Sequence, residues 1–151
     1  MKFSDAVIAT VSLVLLGLIL DAFLMVAFIP LNDNSLSDLL AFIIGFLVAS
    51  LVVGYVFALK IQEGSRIEAI GIIVVLSTFT FMLFYVIWIA NSVASPWYID
   101  SLKATFNTSG WTDYEWSVYS VLYNTVTTLI TIVITFIGLY VGSMLRKPKK
   151  S

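Results

Sequence analysis

The sequence predicts an all-α polytopic membrane protein, four transmembrane helices in a bundle with both termini cytoplasmic. Three observations predict it. The chain is 60% hydrophobic and only 11% charged, with a mean hydropathy of +1.04, too apolar for a water-soluble surface. Four apolar blocks each meet the roughly 20 residues needed to cross a hydrocarbon core of ~30 Å. Lys and Arg segregate: Lys2, Lys60, Arg66, Arg146, Lys147, Lys149 and Lys150 fall on one side of a four-span topology, and Lys103 on the other. The positive-inside rule makes the basic side the cytoplasm, so the chain is expected in the cell membrane as a multi-pass protein. No alternating pattern of a β-barrel is present, so helices must satisfy the backbone in lipid.

The first block covers residues 6–29, "AVIATVSLVLLGLILDAFLMVAFI". Lys2 and the apolar run resemble a signal peptide, but the run passes Asp21 without a small-x-small cleavage site, so it is read as a retained span. Ala6, Thr10, Gly17 and Asp21 share one face of this helix. The second block, 39–59, carries a small-xxx-small ladder, Ala41, Gly45 and Ala49, which reads as a packing seam. The third covers 69–90 and the fourth 116–145.

The links divide the chain into one domain of four spans, with outer loops at 30–38 and 91–115, an inner loop at 60–68 and a basic cytoplasmic tail at 146–151. Ser65 with Glu68, and Thr112 with Glu115, fit capping boxes that open the third and fourth helices. In the long outer loop, Ser95-Pro96 fits a cap followed by Pro at the first helical position. Tyr98, Leu102 and Phe106 then share a face, which predicts a short interfacial helix amid a belt of Trp97, Trp111, Tyr114 and Trp116. Asn107-Thr-Ser matches the glycosylation acceptor on the outer side.

The fourth helix holds the strongest pattern. Ser117, Ser120, Asn124, Thr127, Thr131, Thr135, Gly138 and Gly142 recur at three or four residues, one continuous stripe. Two readings stand. The stripe is a helix-packing seam, since small residues allow close backbones and hydroxyls bond between helices. Or Asn124, Thr127, Thr131 and Thr135 line a wet path, where hydroxyls replace the hydration of a solute. A stripe this long on so small a bundle also suggests other copies or subunits beside it.

Asp21 is the one acid within the apolar blocks, and no Lys or Arg shares them. A charged Asp near a helix centre costs about 2.5–3.5 kcal/mol on insertion scales. It is read either as a structural hydrogen-bonding group near an outer vestibule or as a carboxylate that binds a proton or cation. In a symmetric oligomer such acids would form a cation-selecting ring.

Much chemistry is excluded. The chain has no Cys, hence no disulfide, thiolate metal site or thiol catalysis, and no His, hence no imidazole base or ligand. No catalytic residue, metal site, cofactor or nucleic-acid partner is expected, and the chain is not read as an enzyme. The segment "GYVFALKIQEGSRIEAIGIIVVL" and the ending "GLYVGSMLRKPKKS" resemble uncharacterised four-span membrane proteins of archaeal type. That resemblance implies a topology and no activity. Two function classes follow: a small oligomeric channel or transporter for a cation, proton or small solute, with Asp21 and the stripe lining its path, or a non-catalytic subunit of a larger membrane complex, with the same residues as seams.

Overall fold

The computed structural model describes residues 1–28, 34–61, 65–94 and 110–146. Four helices account for nearly all of them: α1 (Phe3–Phe28), α2 (Asn34–Phe57), α3 (Arg66–Ala94) and α4 (Asp113–Leu145). Each is long and apolar enough to cross a bilayer, with mean hydropathy of 2.1 to 2.6 in its best window. This is the make-up of a multi-pass membrane protein.

The helices overrun the predicted spans. Helix α1 starts at Phe3, α2 at Asn34 rather than 39, and α3 runs from Arg66 to Ala94 rather than from 69 to 90. A helix does not stop where its apolar run stops: backbone hydrogen bonds continue into the polar interface until a cap or a Pro ends them. The Thr112 cap of α4 forms as expected. The Thr112 hydroxyl accepts from the Glu115 amide at 3.3 Å, and Glu115 Oε2 accepts from the Thr112 amide at 2.8 Å. The predicted interfacial helix, Asn107 and the tail from Lys147 lie outside the described residues.

Helix α2 is the spine. It packs extensively against α1 on one flank and α4 on the other, whereas α3 touches α1 and α4 more sparsely. Sequence explains the difference. A Cβ built on Gly45 would sit 2.9 Å from the Asp21 amide nitrogen, so α1 and α2 touch there through backbone. A Cβ on Gly54 would sit 2.5 Å from the Leu139 carbonyl oxygen, and one on Gly142 would collide with the Leu51 carbonyl of α2. Where lipid gives no hydrophobic drive between helices, such close approach supplies the van der Waals contact that holds them together. Helix α3 offers only Gly71 for this, and a Cβ on Gly71 would meet nothing within 4 Å.

The start of α1 and the end of α4 share one end of the molecule. There Lys60 Nζ pairs with Asp5 Oδ1 at 2.6 Å, and Arg146 donates to the Val56 carbonyl at 3.3 Å, its guanidinium 5.5 Å from the Tyr55 ring centre. This terminal half is solid: Leu13, Val53, Ile70, Ile73 and Leu139 form its core. Ile61 joins them, although the sequence places it in a loop. The chain turns back at once after Phe57, with the Ile61 amide bonded to the Phe57 carbonyl at 3.2 Å, and the turn drives Ile61 into the core.

Candidate functional site

The far half is built differently. Past the level of Gly17, Phe46, Ser77 and Thr131, the only buried residues among those described are Ala41, Gly45 and Trp116. In their place is a cavity of about 830 Å³ to which all four helices contribute. Phe42 and Phe81 line it, and the fully buried Phe46 packs against both. Phe42, Phe46 and Phe81 meet with ring centres 4.5, 4.9 and 6.2 Å apart, in tilted and edge-on arrangements that aromatic quadrupoles favour. Gly17 makes this layer possible, because any side chain there would occupy the space of the Phe46 ring.

The walls have two characters. One is α4: Tyr123, Asn124, Thr127, Thr128 and Thr131 face the cavity. The other is apolar and soft: Met25 of α1, Phe42 of α2, and Phe81, Met82 and Phe84 of α3. Asp21 stands between them at the α1–α2 contact, half-buried. Tyr123 ends a ladder of rings that begins at the helix start, Trp111 to Tyr119 at 5.4 Å and Tyr119 to Tyr123 at 5.9 Å.

Hydroxyls on these walls are mostly committed as donors. Thr127 donates to the Tyr123 carbonyl at 2.8 Å, Thr131 to the Thr127 carbonyl at 2.7 Å, and Thr78 to the Val74 carbonyl at 2.9 Å. Such bonding one turn back lets a hydroxyl live in an apolar helix at little cost.

The stripe on α4 is therefore two things. Its lower part is a seam: Gly138 faces Ser50 and the Leu47 carbonyl, and Gly142 faces Leu51, all on α2 of the same chain. A neighbouring copy is not needed to fill that seam. Ala41 and Ala49 are likewise fully buried beside Gly45. The upper part, Asn124, Thr127 and Thr131, lines the cavity with Asp21. Thr135, expected with them, is absent from that lining: it is 1% exposed, one level below in the packed core, and its Oγ1 makes no hydrogen bond among the described residues. The side chains of Ser117 and Ser120 lie outside the described residues.

Sequence reasoning missed the aromatic cluster and the methionines. Phe42, Phe81, Met25 and Met82 sit in runs of equally apolar residues, and nothing local separates a residue facing a cavity from one facing lipid. The described residues hold no group of three or more Asp or Glu that could take a metal ion. Comparison with known protein families, with curated proteins and with solved structures finds no match. The site itself must carry the functional reading.

Proposed function

We propose that this protein is a small membrane transporter, its four helices forming a bundle with both termini in the cytoplasm and a cavity open in the outer half. The observation that carries this reading is the cavity itself, which gathers Asp21, Asn124, Thr127 and Thr131 from two helices into one space. An ionisable group within a membrane span is a functional-site hypothesis by default, and here it faces a chamber large enough for a solute. The basic residues at the terminal end support the orientation.

A standing channel fits less well than a carrier, because the aromatic layer and the Leu13–Leu139 core close the chamber towards the termini. Passage then needs a movement, and α3 is suited to it. It has the sparser contacts, and Ser77, Thr78 and Thr80 each bond to the carbonyl four residues back, an arrangement that bends helices. The reading as a non-catalytic subunit loses its main support, since the stripe is used within the chain. Association with other copies would have to use the outer, lipid-facing side chains.

The test is flux in liposomes holding the purified protein alone, with a pH-sensitive dye inside and organic or inorganic solutes supplied outside. Wild type should move a solute or protons, and Asp21→Asn should abolish this while keeping its helical content. Equal flux from Asp21→Asn, or none from wild type under any gradient, rejects the proposal.

A further inference from the structure

The cavity wall carries one sign of charge. Asp21 is the only Asp, Glu, Lys or Arg among the described residues that line it. Hydrogen bonding does not choose a guest here, since Tyr123, Asn124 and Thr128 offer donors as well as acceptors. Charge does. An ionised carboxylate beside Phe and Met side chains acts at lower dielectric than in water, so it attracts a cation and repels an anion more strongly. The rings discriminate in the same sense. Phe42, Phe81, Phe84 and Tyr123 line the space, and the face of an aromatic ring is the negative part of its quadrupole.

The rest of the molecule repeats this sign. Lys2, Lys60, Arg66 and Arg146, the Lys and Arg of the described residues, belong to the terminal end, where they outnumber Asp5 and Glu68. At the opposite end α4 opens with Asp113 and Glu115. From there the rings of Trp111, Tyr119 and Tyr123 follow one another, 5.4 and 5.9 Å between centres, and the last of them lines the chamber. A cation coming from that end meets acids, then rings, then Asp21, a field that raises its local concentration.

Size and softness decide which cation. A bare Mg²⁺ or Ca²⁺ takes six or more oxygens at about 2.0–2.6 Å. The described residues hold no group of three or more Asp or Glu to begin such a shell. A chamber of about 830 Å³ instead falls in the range of sites that enclose a whole organic molecule. Met25 and Met82 add unbranched, polarisable side chains that adapt to an apolar shape.

We infer that the cavity binds an organic monocation, an ammonium bearing alkyl or aryl groups, with its charged centre beside Asp21 and its apolar groups against Phe42, Phe81, Met25 and Met82. One carboxylate matches one positive charge. The inference deepens the transport reading and rests on the same cavity, but not on flux.

Equilibrium dialysis against the protein in lipid nanodiscs tests it, with empty nanodiscs as the blank for partition into lipid. Three probes share one shape and differ in charge: benzyltrimethylammonium, its neutral carbon isostere neopentylbenzene, and the anion phenylmethanesulfonate. Wild type should bind the ammonium about tenfold more tightly than the isostere, the order of a partly desolvated cation–aromatic contact, and should not bind the sulfonate. Asp21→Asn should bring the ammonium down to the level of the isostere and leave the isostere unchanged. Thr127→Phe should remove binding of both, which places them in the chamber. The wild-type comparison and Thr127→Phe remain decisive if Asp21→Asn does not fold. Equal binding of ammonium and isostere, binding of the sulfonate, a preference that survives Asp21→Asn, or no binding above the blank overturns the inference. Solute flux from a protein that fails these tests leaves transport standing without this guest. Binding as expected from a protein that moves nothing in liposomes ends the transport proposal and keeps the site.

Discussion

The two halves of this molecule use the same residue types for opposite purposes. Towards the termini, small residues bring backbones together: Gly54 to Leu139, Gly138 to Ser50, Gly142 to Leu51. Towards the far end, the same α4 face carries Asn124 and Thr127, and there it lines a cavity. A polar stripe is thus neither a seam nor a lining in itself. What lies opposite decides. Opposite the lower stripe lies α2, with Ser50 and Gly54; opposite the upper stripe lies α3, with Thr78, Phe81 and no glycine to allow approach.

The contrast can be broken at its tightest point. Gly142→Leu forces a branched side chain into the Leu51 carbonyl of α2 and should cost more than the ~1–3 kcal/mol of ordinary overpacking, seen as loss of monodisperse protein on size exclusion. Next comes a matched pair on one face, two helical turns apart. Thr135→Phe falls in the solid half and should destabilise by about 1–3 kcal/mol, whereas Thr127→Phe fills open space and should change the thermal midpoint little. Equal effects of the two would mean that the halves do not differ in packing. A smaller effect of opposite sign is expected for Thr135→Val. Its buried Oγ1 has no hydrogen bond among the described residues, so an isosteric methyl should stabilise by about 1 kcal/mol, read as a raised midpoint in detergent. The smallest effect belongs to the surface. Lys60→Ala removes the pair with Asp5, but Lys60 is 57% exposed, and the midpoint should stay within the reproducibility of the scan.

Much of this was legible in the residues. The spans follow from apolar length, the α4 cap from Thr112 and Glu115, and the inward face of α4 from the spacing of Thr and Gly. Helix α1 shows why hydrophobicity alone was a poor guide. It has almost no apolar asymmetry around its circumference, yet Ala6, Ala9, Thr10 and Gly17 turn inward while Ile8, Leu15, Ile19 and Phe23 turn out. Small residues supply most of the inward face, with Leu13 and Val14 buried among them, because close packing replaces the hydrophobic drive in lipid. The aromatic cluster could not be read, since Phe46 fits only because Gly17, on a different helix, yields the room. The role of Ile61 was hidden too, because a polar loop around it gives no sign that the chain folds back at once.

The sequence by itself determined four helices long and apolar enough to span, and it placed Asp21 and the stripe from Asn124 to Gly142 on inward faces, because periodicity and side-chain size are properties of a single helix. Which part of the stripe became a seam and which a chamber was decided only in three dimensions. The reason is physical: a void is a relation between helices, set by how near their backbones can come, and at no single position does one helix record how far away its neighbour stands.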